Sequence, residues 1–345
     1  MDNNSKLLTI AIPTYNMEKL LNRCLNSLIV KDNDLFKQLE VLIVNDGSKD
    51  KSLDIALEYE QKYSGIFKVI NKENGNYGSC INAALKIASG LYFRILDADD
   101  SFNTIALYEL LKFISHNTDK EIDMILTNYQ RVYSTGKIVN IKAGNIQYGK
   151  IYTPNELELY KHNVMVMHGI TYKLKILKDS NYHQTEGISY TDTEFCFYPL
   201  SCVHNFVFLN LYLYKYSLGR DGQTVSIKSY QKNIHHLYIM IDKMLNYLYK
   251  NPNYNRDQNI NIYKNQMKTL YRGVSTYYRI ILSTKFKHNE DIASLDNRIH
   301  SYDINLYNAL GKVTVCKFPI VSFWRLFNII PNNILFRIFF SYKNR

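Results

Sequence analysis

The chain of 345 residues has five cysteines, Cys24, Cys80, Cys196, Cys202 and Cys316, odd in number and scattered, with no Cys-x-x-Cys pair. That usage argues against a disulfide framework or a cysteine zinc site and fits a reducing cytoplasm. No stretch of 18 apolar residues occurs, so no membrane-spanning helix is expected. The first residues do not read as a signal peptide: their apolar run is short, follows Asp2 and stops at Pro13. There is no Gly-Lys-Ser/Thr phosphate loop and no G-x-G-x-x-G match. Internal repeats and low-complexity linkers are also missing.

Acidic residues are scarce in the last third. Residues 231–345 hold 17 Lys/Arg against 6 Asp/Glu, which accounts for the whole net charge of +11. A basic block of this kind attracts an anionic membrane or nucleic acid, and it equally describes a solvated helical face. No nucleic-acid-binding module accompanies it, so no nucleic-acid partner is expected.

What the chain does have is 46% hydrophobic residues, enough for a core, and a regular alternation of strand and helix signals over residues 7–130. Leu7–Ile12, Val41–Val44, Phe67–Ile70 and Leu91–Leu96 read as strands, with helices expected over Met17–Ile29, about Lys51–Tyr63 and Ser79–Ala88. This order predicts an α/β fold with a doubly wound, mostly parallel sheet. A helix over Thr104–Ser115 and a strand over Ile122–Tyr129 follow. Glycine-rich breaks between 131 and 155 suggest a hairpin excursion. A helix at 189–200, a long strand at Phe206–Tyr216 and a helical pattern from about 229 to 283 complete the reading.

Each of the first four strands is followed by a polar motif, where open α/β sheets bind ligands. After the first comes Pro13-Thr14-Tyr15-Asn16, where a base can pack on the Tyr15 ring; a plain turn explains Pro and Asn as well. After the second comes Asp46-Gly47-Ser48, whose carboxylate can accept a uracil imide N–H. Asp-Gly-Ser is also a common turn and capping sequence. After the third comes Glu73-Asn74-Gly75-Asn76-Tyr77-Gly78-Ser79, whose two glycines let backbone approach a phosphate before a helix start. After the fourth comes Asp97-Ala98-Asp99-Asp100, where carboxylates two apart can hold Mg²⁺ or Mn²⁺ on a diphosphate, or can simply initiate the next helix.

Taken in order, these motifs resemble family 2 of the glycosyltransferases, which have the GT-A fold. The resemblance covers residues 7–130 well and continues to about 226. It rests on Pro13–Asn16, Asp46–Ser48, Gly78 with Asn82, and Asp97–Asp100. It implies nucleotide contacts from Pro13, Tyr15, Asp46, Asn76, Gly78 and Asp97, and metal binding by Asp99. One departure is Ile81, where the family often has Arg before the Asn of the glycine-rich segment. The family's acidic pair followed by an aromatic matches Tyr190-Thr191-Asp192-Thr193-Glu194-Phe195, with Thr191 where Glu is commoner. By this resemblance Asp192 is the catalytic base, and Glu194 is its rival. Arg220, in Arg220–Ser226, would approach the diphosphate, with a simple polar turn as the alternative; His168 would face the acceptor, although a satisfied structural histidine is the better reading of any single His.

The resemblance implies an inverting, metal-dependent transfer of sugar from a nucleotide-sugar, a UDP-sugar, to a glycan or lipid-linked acceptor in bacterial polysaccharide synthesis. A non-catalytic nucleotide-sugar-binding or membrane scaffold protein is the alternative. The expected layout is a catalytic domain over 1–225 (nucleotide-binding half 1–100, acceptor half 101–225), a helical region over 226–310 and a basic tail over 311–345. In that tail Ser322, Arg325 and Asn328 recur among Val321, Phe323, Trp324, Leu326, Phe327 and Ile329, and six Lys/Arg with no acid occupy 312–345. Such an amphipathic stretch is expected to lie on an anionic membrane surface at the inner face of the cell membrane; packing on the protein's own core is the alternative.

Overall fold

The computed structural model describes residues 6–142, 146–159, 165–219, 227–250, 260–283 and 289–328. Two compact units divide the chain: residues 1–221 with 259–263, and residues 222–258 with 264–345.

The first unit is built on one ten-stranded sheet. Its strands are β1 (Leu8–Thr14), β2 (Leu39–Asp46), β3 (Phe67–Lys72), β4 (Tyr92–Ile95), β5 (Ser101–Phe102), β6 (Met124–Tyr133), β7 (Ile138–Ile141), β8 (Ile151–Tyr152), β9 (Ile170–Lys173) and β10 (Phe206–Leu218). The main path runs β3-β2-β1-β4-β9-β6-β10-β5, with β7 on β6 and β8 on β10. β3, β2, β1 and β4 are mutually parallel, and so are β6 and β10. β1 and β2 carry near-continuous apolar runs because both their faces are covered, as a parallel sheet requires. The helices are α1 (Leu21–Asn26), α2 (Asn33–Lys37), α3 (Ser52–Lys62), α4 (Asn76–Ile87), α5 (Thr104–Ser115), α6 (Leu174–Asp179) and α7 (Asp192–Phe197). The four expected strands of the first hundred residues are β1–β4.

Several elements differ from expectation for identifiable reasons. The helix expected over Met17–Ile29 contracts to α1. Residues 17 and 18 spend their amides on the next turn instead: Met17 donates to Ser52 Oγ at 2.7 Å and Glu18 to Asp50 Oδ2 at 3.0 Å. α2 was not foreseen, although Asp32 caps it by accepting from Asp34 and Leu35. β9, only four residues long, enters antiparallel between β4 and β6. The helix expected over 189–200 is α7 alone, and Pro199 opens a separate 3₁₀ turn, Pro199–Cys202. β10 breaks register twice against β6, between Leu209 and Tyr212 and between Tyr212 and Tyr214. Such irregularities re-aim side chains, and Tyr214 then reaches the acidic loop after β4.

The second unit is helical: α8 (Ile227–Lys250), α9 (Ile260–Leu282) from residue 264 onward, α10 (Asn289–Tyr302), α11 (Ile304–Gly311) and α12 (Ile320–Phe327). α12 corrects part of the membrane expectation. Its Ile320, Val321 and Trp324 are buried, and Arg325 pairs with Asp296. Part of the stripe of 320–327 thus faces the protein's own core, while Leu326 and Phe327 remain exposed. Residues 329–345 lie outside the described residues. No helix among those described is long and apolar enough to cross a membrane.

Candidate active site

Because β1 to β4 are parallel, their carboxyl ends share one edge, and the four motifs meet there. The first two are stitched together by hydrogen bonds. Asn16, at φ 54°, donates its amide to Ser48 Oγ at 3.0 Å, and its side-chain oxygen accepts from the Lys49 amide at 2.8 Å. Ser48 therefore fixes the Tyr15 turn. Tyr15 itself is 47% exposed, as a ring offered to a ligand should be. Pro13, in β1, pairs with Val44 of β2.

Asp46 closes β2 and is buried. Its Oδ1 accepts from Lys72 Nζ at 2.7 Å and from the Gly75 amide at 2.9 Å. Lys72 also reaches Ser79 Oγ at 2.9 Å. Lys72 had no role in the sequence reading, because an exposed-looking lysine at a strand end carries no local signal. Asn76 takes φ 65° at the start of α4. Gly78 departs from expectation. A Cβ there would lie 2.0 Å from the Thr185 carbonyl oxygen, so the close approach that this glycine permits is to the chain itself.

After β4, Tyr77 Oη donates to Asp97 Oδ1 at 2.8 Å. Tyr214 Oη donates to Asp100 Oδ2 at 2.8 Å, and the Ser217 amide donates to Asp100 Oδ1 at 2.7 Å. Arg23 of α1 donates to the Asp99 carbonyl at 2.5 Å. Asp97, Asp100 and His168 each offer a ligand atom, and these atoms lie within 4.8 Å of one another. Asp99 is not in that group. The His168 ring sits between Tyr129, Tyr214 and Tyr216, with centroids 5.4, 4.6 and 4.4 Å away. Sequence reading gave His168 to the acceptor; the structure sets it against the acidic loop. Burial, with Arg94 and Arg131 nearby, lowers its pKa to about 3, so the imidazole is neutral. Its Nδ1 is buried with no hydrogen-bond partner among the described residues.

Arg94, on β4, is a second residue that sequence reading passed over. It is wholly buried, donates to Thr171 Oγ1 at 2.7 Å and to the His168 carbonyl, and lies over the Phe102 ring at 5.3 Å. It thereby fixes the turn that carries His168.

Burial and the neighbouring Asp100 push the Asp97 carboxyl up to about 7. Burial likewise pushes Asp100 up, to about 6. The two titrate as a pair that keeps a proton near neutrality. A carboxyl with a raised folded pKa holds its proton in the fold and releases it on unfolding. Stability contributed this way is present at low pH and falls as pH rises through the window from the ordinary aspartate value toward about 7. The melting temperature of the metal-free protein should therefore drop across that window. Asp97→Asn should flatten the drop, and excess Mn²⁺ should oppose it. Calorimetric scans in chelator and in Mn²⁺ check this.

Asp192 opens α7 and is exposed, while Glu194 is wholly buried. Burial is the main cause that raises the pKa values of Tyr77 and Asp97, and the Asp192 charge adds a smaller contribution to both, which places it at the same site. Glu194 accepts from the Thr185 amide and hydroxyl, each at 2.7 Å. Of the two acidic residues, only Asp192 faces solvent. Arg220 lies outside the described residues.

Comparison with known proteins agrees with this geometry. Residues 9–179 match the family described as Glycosyl transferase family 2. The uncharacterized glycosyltransferase MG025 of Mycoplasma genitalium is 40% identical over 113 residues, 32% of this chain and 37% of that protein. The poly(ribitol-phosphate) beta-glucosyltransferase of Bacillus spizizenii is 27% identical over 200 residues, 51% of this chain and 31% of that one. These alignments thus cover about a third of the relatives' own lengths. The crystal structure of S. aureus TarS 1–349 in complex with UDP-GlcNAc superposes with a TM-score of 0.65 at 19% identity, covering 93% of this chain and 92% of that one. That likeness establishes the GT-A fold. Strand-end motifs in the family's order, on the family's fold and inside its matched span, identify residues 9–179 as a glycosyl transferase family 2 domain.

Proposed function

We propose that the protein transfers a sugar from a UDP-sugar to a hydroxyl of a glycan or lipid-linked acceptor in bacterial surface-polysaccharide synthesis, with inversion. The carrying observation is the contrast within α7. Asp192 is exposed and electrostatically coupled to Tyr77 and Asp97, whereas Glu194 is spent on Thr185. Asp192 takes the proton of the acceptor hydroxyl while that oxygen bonds to the anomeric carbon. The anomeric C–O bond to UDP breaks, and its electron pair leaves with the diphosphate. Pro13, Tyr15, Asp46, Asn76 and Asp97 form the nucleotide side, with Tyr15 under the base and Asp46 on its imide, while Gly78 serves the chain's own packing against Thr185. Arg220 keeps its assignment to the diphosphate.

The residues present fit a divalent cation. Two carboxylates and a neutral imidazole with an unpartnered buried nitrogen converge, and such O and N donors suit Mn²⁺. Asp97, Asp100 and His168 would hold it, and Asp99 is the alternative ligand. A bound cation supplies charge stabilisation to the departing diphosphate. Asp100 already accepts at both oxygens, so its larger part is to pin the acidic loop to β10.

Calorimetry of UDP binding with and without Mn²⁺ tests the donor and the cation together. Wild-type protein should bind UDP more tightly with Mn²⁺. If His168→Ala and Asp97→Asn remove the metal-dependent part while Asp99→Ala keeps it, the convergent group is the site; the opposite pattern returns the metal to Asp99. A panel of UDP-sugars, assayed for hydrolysis and transfer, checks the activity itself. Binding without turnover of any of them would favour the non-catalytic alternative.

The relatives' names include a poly(ribitol-phosphate) beta-glucosyltransferase, which supports an anionic or lipid-linked polymer as acceptor. The basic last third supports work beside an anionic membrane at the inner face of the cell membrane.

A further inference from the structure

Residues 182–187 run as a strap between α4 and α7. Asn82 of α4 clasps Gln184 at both backbone groups: its Nδ2 donates to the Gln184 carbonyl at 2.9 Å, and its Oδ1 accepts from the Gln184 amide at 2.9 Å. The same Nδ2 donates to Glu186 Oε1 at 2.8 Å. The Gly187 amide donates to the Gly75 carbonyl at 3.0 Å. Gly78 lets the Thr185 carbonyl lie against the first turn of α4, where any side chain would collide with it. On the donor side, then, the strap touches Gly75, Gly78 and Asn82, in and beside the glycine-rich turn.

The other side of the strap reaches α7. Gln184, wholly buried, donates its Nε2 to Thr191 Oγ1 at 2.9 Å, and Thr191 immediately precedes Asp192. Tyr182 Oη holds the Gln184 Oε1 at 3.1 Å, fixing the direction of that amide. Thr185 gives its amide and hydroxyl to the two oxygens of Glu194, each at 2.7 Å. Glu194 is one of the buried carboxylates of this unit, and its neutral donors keep the charge solvated by the chain. The backbone just before is bent: Tyr190 takes φ 71°, a region a tyrosine rarely visits. Such backbone persists where its surroundings over-determine it, and the bonds to Thr191 and Glu194 do so here.

We infer that this strap couples the donor turn to the catalytic base, with Asn82, Gln184 and Glu194 as positioning residues that set Asp192 through α7. The inference rests on the reading of Asp192 as the base. Nucleotide on the glycine-rich turn steadies the strap, and the strap steadies α7. Coupling of this kind is a free energy shared by both ends, so a change at either end is felt at the other. It gives Glu194 a reason to be acidic without touching substrate. It also explains why Thr191, rather than a second acid, is accommodated before Asp192: its hydroxyl is the acceptor for Gln184.

Hydrogen–deuterium exchange of the whole protein, with and without UDP and Mn²⁺, tests the coupling directly. UDP should slow exchange of the amides between 184 and 194 as well as those of the glycine-rich turn. Glu194→Gln and Gln184→Met should abolish that protection at 184–194, weaken UDP binding by the lost coupling, and lower kcat by about tenfold to a hundredfold, the range expected for a misplaced catalytic group. Thr185→Ser, which keeps both donors to Glu194, should retain kcat, whereas Thr185→Val should not. No change of protection at 184–194 on UDP binding to the wild-type protein overturns the inference. So does a variant whose donor KM rises while kcat stays intact. The exchange measurement needs no variant to fold, so it decides the coupling even if Glu194→Gln is unstable. Asp192→Asn separates the two readings: if it turns over normally, the base assignment falls, while the exchange pattern still reports on the strap.

Discussion

Replacing Asp192 with Asn should lower kcat by about 10²–10⁴, the usual worth of a positioned general base, and leave UDP affinity unchanged. The substitution keeps size and removes the only function proposed for the side chain. Asp192 is exposed at the start of α7, so no packing is lost. It also removes a negative charge that raises the pKa values of Tyr77 and Asp97. A fall in the Asp97 pKa should accompany the loss of turnover. Glu194→Gln gives the contrast: its effect should come with altered exchange in the strap, because its carboxylate touches Thr185 and not solvent. If Asp192→Asn is near normal while Glu194→Gln loses turnover with the strap unperturbed, the roles are reversed. Single-turnover kinetics, with calorimetric UDP affinity for each variant, check this.

The four strand-end motifs were legible because each depends on local chemistry. An apolar run ends, a turn residue or carboxylate follows, and parallel pairing does the rest. That logic placed Tyr15, Asp46, Asn76 and Asp97 on one edge before any coordinates. It failed where a side chain's role is set by a partner about a hundred residues away. Tyr214 reaches Asp100, Gln184 is clasped by Asn82, and Arg94 holds the His168 turn. None of these has a local signature: an arginine inside Leu91–Leu96 reads as an interruption in a strand, and only the fold shows it to be buried. The choice between Asp192 and Glu194 was open for the same reason. Two residues apart on a helix point to nearly opposite sides, but sequence alone does not say which side is the cleft. Gly78 was expected to let backbone approach a ligand, and the fold sets it against the Thr185 carbonyl instead, a partner about a hundred residues away. β9 escaped because four residues carry too little pattern for a strand to be told from a loop.

Ending the chain at residue 310 should unfold the second unit, against the sequence expectation of a membrane-associating tail over 311–345. The lost segment contributes Val313, Val315, Ile320, Val321 and Trp324 to the core of that unit. Each buried aliphatic side chain stabilises by roughly 1.5–3 kcal/mol. It also carries Arg325, whose Nε and Nη2 donate to the two oxygens of Asp296 at 2.9 and 2.6 Å and whose Nη1 donates to the Tyr307 carbonyl at 2.9 Å. The guanidinium packs 3.5 Å from the Tyr307 ring centre. Without it, Asp296 is left as a buried charge with the Tyr278 hydroxyl at 2.7 Å as its remaining side-chain partner among the described residues. Removing one member of such a pair costs about 3–5 kcal/mol, so Arg325→Met alone should lower the thermal transition of that unit markedly. A chain ended at residue 328 keeps all of these contacts. That second truncation is the one that addresses the membrane. It leaves Leu326 and Phe327, 76% and 58% exposed, and removes Arg337, Lys343 and Arg345. The full chain should sediment with anionic vesicles and release as salt shortens the electrostatic reach, while the chain ended at 328 should stay in the supernatant with turnover on a short soluble acceptor intact. A chain ended at 310 that melts normally would return α12 to the role of a surface anchor. A full chain that ignores anionic vesicles would remove the membrane from the reading altogether.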